Sequence, residues 1–289
     1  MYALIDIGSN TIRLVIYDTE SGLHEVFNQA DYSGLISYVQ NGVLSGDGLQ
    51  HLVEVLNSMH KISLQYECEN LYAFATASLR GVADKDGLIE SIFQKTGILI
   101  DILSGTEEAM FDYRAISEAY KVSEGAAFDL GGGSCQLMFF EHGNLPECKS
   151  MPIGALKMYN KYVSGVLPST EEKKAIAAEV RKQLSDFALL KNSPELPLYA
   201  MGGAACTITS MHKKLTGETK WEFTVKELEQ ITELNEDIIS KLAPKRLTTI
   251  IPAVITILEI CRYIGCDRIF TTAIGVRDGI INNLLQKIN

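Results

Sequence analysis

The chain has 289 residues, 46% of them apolar, with 26 basic and 36 acidic side chains giving a formal charge of -10 at neutral pH. That balance excludes broad binding to nucleic acid, which needs an extended basic surface, and the apolar content is enough for one large core or two ordinary ones; two compact domains are expected. No apolar run reaches the roughly 18 residues that span a bilayer, and Met1-Tyr2-Ala3-Leu4-Ile5-Asp6 lacks the basic and apolar regions of a leader, so a soluble, cytoplasmic protein with no membrane partner is expected.

In chain order, residues 4–18 read as an apolar strand, a turn of small polar residues and a second apolar strand, the pattern of a β-hairpin. A third strand is expected after Ser21-Gly22. Helix and strand then alternate: helix 47–66, strand 71–76, helix 85–96, strand 98–102 and helix 106–120. A second hairpin over 127–141 restarts the pattern, with its third strand after His142-Gly143-Asn144. Helices near 153–163 and 170–190, strand 197–201, a helix from about 205, further helices between 225 and 264, strand 268–272 and a last helix over 276–288 complete the reading. The Ile-rich stretch at Ile250-Ile251 and 254–258 suits a core and a homodimer contact equally.

The two hairpins are copies. Residues 4–18 lie over 127–141 without a gap, placing Asp6 on Asp129, Gly8 on Gly131, the hydroxyl of Thr11 on that of Ser134, and Leu14 on Leu137. Three meandering strands followed by alternating helices and strands, twice over, imply two mixed-sheet α/β domains, 1–120 and 121–289, with strand ends facing across a cleft. The last helix, 276–289, is placed to pack back on the first domain.

A turn of small residues exposes consecutive backbone N–H groups, and such a concave array binds phosphate oxygens. Ser9-Asn10-Thr11 and Gly131-Gly132-Gly133-Ser134 are two such turns, with Asp6 and Asp129 at the strand ends suited to Mg²⁺ directly or through water. A triple glycine alone reads equally as a tight turn; the duplication strengthens the phosphate reading but does not separate kinase, ATPase and phosphatase. Gly202-Gly203-Ala204 follows a strand and opens a helix, which suits close approach by a ligand or close strand–helix packing. Cys68, Cys135, Cys148, Cys206, Cys261 and Cys266 form no C-x-x-C pair and read as reduced thiols, and the five histidines show no metal spacing.

On these residues the chain resembles the exopolyphosphatase and guanosine pentaphosphate phosphatase family of the actin-like superfamily. Asp6-Ile7-Gly8-Ser9-Asn10-Thr11-Ile12-Arg13-Leu14 is similar to the family's first phosphate loop and Asp129-Leu130-Gly131-Gly132-Gly133-Ser134 to its second. Between and after them, Phe74-Ala75-Thr76-Ala77-Ser78-Leu79-Arg80, Leu103-Ser104-Gly105-Thr106-Glu107-Glu108-Ala109 and Gly275-Val276-Arg277-Asp278-Gly279 resemble further family segments in the right order. The resemblance spans nearly the whole chain. It implies a duplicated actin-like, ribonuclease H-like fold and a metal-dependent phosphoanhydride hydrolase using Mg²⁺ or Mn²⁺, acting on inorganic polyphosphate or guanosine pentaphosphate. It implies that Glu108 activates the attacking water, with Glu107 a solvated helix-start carboxylate, and that Arg80 and Arg13 match phosphate oxygens. Arg277 pairs with substrate or with a neighbouring carboxylate, Asp278 or Glu108.

Three departures stand out. Gln136 occupies the position of a family glutamate, and an amide coordinates Mg²⁺ less well and accepts no proton. Asp84 replaces an asparagine. The chain ends after the two actin-like domains, where longer members add a helical domain implicated in gripping long polyphosphate, so the resemblance does not carry high processivity over to it. An actin-like kinase or ATPase, and a polyphosphate- or alarmone-binding protein with weakened chemistry, are the alternative classes.

Overall fold

The structure is a computed structural model, described for residues 1–19, 23–141, 144, 146–187, 193 and 195–286. It divides into two compact units, Met1–Gly105 and Thr106–Asn289.

The first unit runs β1 (Tyr2–Ile7), β2 (Ile12–Asp18), β3 (His24–Asp31), a 3-10 turn at Leu35–Tyr38, β4 (Val39–Gln40), β5 (Val43–Leu44), α1 (Gly46–Gln65), β6 (Asn70–Ala75), α2 (Ala77–Arg80), α3 (Lys85–Thr96) and β7 (Ile100–Ile102). Its main sheet has the order β3-β2-β1-β6-β7, antiparallel across the first three strands and parallel across the last three. Side chains alternate across a strand. Thus Ala3, Ile5, Ile7, Ile12, Leu14 and Ile16 form one buried face packed with Leu52, Leu56 and Met59 of α1 and Ile92 of α3. Asp6 and Arg13 have the other parity and stand directly opposite one another in the β1–β2 register. The departure at Asp84 has a local account: its carboxylate caps α3 by accepting from Gly87 N at 3.0 Å, a task Asp and Asn perform equally well.

The second unit runs α4 (Gly105–Tyr120), which begins at the boundary, β8 (Gly125–Leu130), β9 (Cys135–Phe140), β10 (Glu147–Met151), α5 (Ala155–Tyr162), α6 (Thr170–Leu184), β11 (Leu198–Met201) and α7 (Gly202–Thr216). It continues with β12 (Glu222–Thr224), α8 (Val225–Thr232), α9 (Glu236–Leu242), α10 (Ile250–Ile264), β13 (Arg268–Thr271) and α11 (Val276–Gln286). Its sheet, β10-β9-β8-β11-β13-β12, repeats the first plan and adds β12 as an antiparallel edge. The actin-like duplication expected from the hairpins is therefore present strand for strand.

Both faces of this sheet are covered. Ala126, Phe128, Leu130, Cys135 and Leu137 join the core built with α5, α6, α7 and α10. Ala127, Met138 and Phe140, one position out of step, meet Ala109, Tyr113 and Ile116 of α4, with the Tyr113 and Phe140 rings 5.3 Å apart. Asp129 and Gln136 share the parity of that second face, so the strand period itself aims them toward α4.

The boundary expected at residue 120 falls instead at 105, because α4 spends its apolar face on the second sheet. The last helix packs on this same α4: Gly279 lies against the Phe111 carbonyl, and Arg114 Nη1 donates to Asn283 Oδ1 at 3.0 Å. The Ile-rich stretch is core. It forms α10, apolar all round and buried, with Ile250, Val254 and Ile257 each 0% exposed.

Two helix bounds differ from the sequence reading by three residues or more. The helix over 170–190 ends at Leu184, residues 188–190 lying outside the described ones, and the helix from 205 begins at Gly202. Ser21, Gly22, His142, Gly143 and residues 287–289 also lie outside the described residues. Among the described residues, no helix is long and apolar enough to cross a membrane.

Candidate active site

The two phosphate-binding turns are built alike. Each hairpin is closed by one bond, Gly8 N–H to Thr11 O in the first unit and Gly131 N–H to Ser134 O in the second, both 3.0 Å. In each, the helical turn after the third strand points its first N–H groups at the loop carbonyls. Gly34 N donates to Asn10 O at 3.1 Å and Ile36 N to Ser9 O at 3.0 Å; Ala155 N donates to Gly131 O and Lys157 N to Gly132 O, both 2.9 Å. The first N–H groups of a helix lack intrahelical acceptors, so this docking satisfies them and fixes the loop's peptide planes. The N–H groups of Gly132 and Gly133 keep no acceptor among the described residues, which is the state an anion site requires. The docking needs glycine at 154: a Cβ there would stand 2.4 Å from Gly133 C and Ser134 N.

Glu108 lies in the first turn of α4 and is 6% exposed, whereas Glu107 beside it is exposed. Its Oε2 accepts from Gln136 Nε2 at 3.0 Å. That amide nitrogen also lies 2.9 Å from Ser134 Oγ, at the end of the second loop, and 3.1 Å from Ser150 Oγ on β10. Gln136 is fully buried, and β8 and β9 pair it directly with Asp129, the position Arg13 holds opposite Asp6 in the first unit. One helical turn beyond Glu108, Asp112 is also fully buried. The thiol of Cys135 registers the cluster: burial first, then the carboxylates of Asp129, Glu108 and Asp112, push it well above the ordinary thiol range.

The second unit thus brings together Glu108, Asp129, Gly131, Gly132, Gly133, Ser134 and Gln136. In the first, Asp6, Ser9, Asn10 and Thr11 sit on one hairpin. Arg80 ends α2 half-buried, with Nη1 donating to Leu103 O at 3.1 Å. Arg13 reaches along the sheet to Asn28 Oδ1. Gly202 opens α7 against Asp129 Oδ1, Gly203 lies against the Arg246 guanidinium, and Arg277 occupies the first turn of α11.

Asp112, Ser150 and Gly154 are the participants that sequence reasoning did not single out. The i, i+4 spacing of Glu108 and Asp112 on a helix was a readable sign of the first. The other two depend on strand register and loop docking. Among the described residues, no group of three or more His, Cys, Asp or Glu side chains is gathered as a metal site. Asp129 nevertheless offers a carboxylate whose Oδ1 is shielded from solvent, a hard donor of the type Mg²⁺ takes when it keeps waters and shares phosphate oxygens.

Residues 15–288 match the model of the Ppx/GppA phosphatase family. The chain is 26% identical, over 99% of its length and 46% of the relative's, to the bifunctional 3-dehydroquinate synthase/phosphatase of Fusobacterium nucleatum. It is 24% identical, over 99% of its length and 59% of the relative's, to the guanosine-5'-triphosphate,3'-diphosphate pyrophosphatase of Aeromonas hydrophila. Thus it spans about half the length of these curated relatives. An exopolyphosphatase crystal structure from Cytophaga hutchinsonii superposes with a TM-score of 0.88 at 17% identity, covering 99% of this chain and 98% of that one, a likeness of fold.

Proposed function

The chain belongs to the Ppx/GppA phosphatase family, and we propose that it hydrolyses the terminal phosphoanhydride bond of inorganic polyphosphate or guanosine pentaphosphate, in the cytoplasm. The observation that carries this reading is the buried, tethered carboxylate of Glu108 next to a glycine loop in which the N–H groups of Gly132 and Gly133 keep no acceptor among the described residues. Glu108 orients a water and takes its proton as the water oxygen bonds to the terminal phosphorus. The bond from that phosphorus to the bridging oxygen breaks, and the shortened chain leaves as a phosphate anion.

Backbone N–H groups of residues 8–11 and 131–134 hold the phosphates, and the hydroxyls of Ser9, Thr11 and Ser134 and the side chain of Asn10 add donors. Arg80 adds a guanidinium, whose plane is set by the bond from Nη1 to Leu103 O. Arg13 serves the same charge balance more weakly, being engaged with Asn28. Asp6 and Asp129 are the proposed Mg²⁺ carboxylates, with Mn²⁺ as substitute. A bound divalent ion would neutralise charge developing on the phosphoryl oxygens.

The test is phosphate release from polyphosphate, guanosine pentaphosphate and ATP, each with Mg²⁺, with Mn²⁺ and with chelator. Release from at least one of the first two, abolished by chelator, supports the proposal. Transfer of phosphate to an acceptor instead of water, or tight binding without release, sinks it in favour of a kinase or a binding protein.

A further inference from the structure

The Gln136 amide nitrogen reaches three polar groups of the cluster. A carboxylate only accepts hydrogen bonds, so the 3.0 Å contact with Glu108 Oε2 fixes which end of the amide faces it: the N–H₂ end. The same nitrogen lies 2.9 Å from Ser134 Oγ and 3.1 Å from Ser150 Oγ, three acceptors for two hydrogens. Ser134 closes the glycine loop. One side chain therefore holds the acidic group of α4 and the hydroxyl of the loop at once.

The amide is also uncharged, in a site where the acidic groups are carboxylates. Glu108, Asp112 and Asp129 each push the Cys135 thiol up, so all three lie within electrostatic reach of the residue beside Gln136. A glutamate at 136 would add a further acceptor to this set and could donate to neither Glu108 nor Ser134 while ionised.

Resting on the hydrolase reading above, we infer that Gln136 is a positioning residue: it clamps the Glu108 carboxylate in its working orientation beside the second loop. The glutamine at this position is then a working substitution rather than a lost metal ligand.

Two double-mutant cycles over Glu108→Gln and Gln136→Ala test this, one read in kcat with polyphosphate and Mg²⁺, the other in melting temperature. In the first, Gln136→Ala lowers kcat by roughly 10–100-fold in the wild-type background, with KM changed less, and by under about 3-fold in the Glu108→Gln background. In the second, the melting temperatures are non-additive by about 2 °C or more. Gln136→Glu falls in kcat at least as far as Gln136→Ala. Additive losses of kcat overturn the positioning role even if melting is coupled, since the contact is then merely structural. A Gln136→Glu variant at or above wild-type turnover overturns it as well. A wild-type protein that releases no phosphate sinks the hydrolase reading and this role with it, and the melting cycle tells that failure apart by still registering the contact.

Discussion

Neighbouring carboxylates on one helix turn meet opposite fates in this protein. Glu107 is exposed and Glu108 is 6% exposed with an amide donor on its oxygen. Glu108→Gln should therefore lower kcat by roughly 10²–10⁴-fold with KM nearly unchanged, the signature of a lost proton acceptor, while Glu107→Gln leaves both constants as they are. A Glu108→Gln variant with near-normal turnover removes the residue from the mechanism. Arg80→Ala should cost ~1.5–3 kcal/mol in kcat/KM, the range for a bond to a charged group, and Arg80→Lys should recover part of it, because an ammonium lacks the planar fork. Unchanged kcat/KM in the folded alanine variant returns Arg80 to a purely structural role on Leu103. The sequence made Glu108, Asp129 and the glycine loop readable, since each sits in a local motif. It showed Gln136 only as a departure: that the amide serves as a donor follows from β9–β10 register and from the seating of α4, neither of which a local pattern encodes.

Elements position these residues by backbone contact more than by side chains. The loop at Gly131–Ser134 is set by two N–H groups of α5, and the approach leaves no room for a side chain at Gly154. Gly154→Ala must move either the loop or the helix, because the colliding atoms are main chain. Weakened phosphate binding, read as a raised KM or a lost phosphate-induced melting shift, is expected together with a stability loss of ~1–3 kcal/mol. Wild-type KM in this variant would detach α5 from the site. Helix ends also set the response of the second unit to acid. Backbone and side-chain bonds from Ser169 and Ser164 in the α6 capping box hold Glu172 at about 2 against an ordinary value of 4.5. Bonds first from Tyr162, then from Gln183 and Lys161, hold Glu179 at about 2 as well. Depressed carboxyls contribute stability that is complete above the unfolded value and fades as pH falls toward the folded one. Melting temperature should thus drop between about pH 4.5 and 2, and less steeply in Glu179→Gln; an equal slope in that variant excludes the three bonds to Glu179 as a cause. The starts of α6 at Thr170 and α8 at Val225 fall where the sequence reading put them. The three-residue edge strand β12 was not readable, being too short to show a period.

At the scale of the molecule, the duplication was readable because each copy carries the same Asp, Gly and hydroxyl in register with its apolar positions. The boundary between the copies was not, because a helix's sequence shows that it has an apolar face but not which sheet that face covers. Here Ala109, Tyr113 and Ile116 of α4 pack against Ala127, Met138, Phe140 and Met201. The same helix receives α11, where a Cβ on Gly279 would stand 2.1 Å from the Phe111 carbonyl oxygen. Deleting α4 would bare one face of the second sheet and strand the last helix. Each large apolar side chain returned to water costs ~1.5–3 kcal/mol, and three or four such losses rival the whole stability of an ordinary domain, ~5–15 kcal/mol. A fragment of residues 106–289 should therefore melt in one cooperative transition. A fragment of 121–289 should melt broadly or aggregate, with an apolar dye bound to its uncovered face. If the shorter fragment melts as sharply and as high as the longer one, α4 contributes nothing to the second core, and the division between the copies belongs at residue 120 after all.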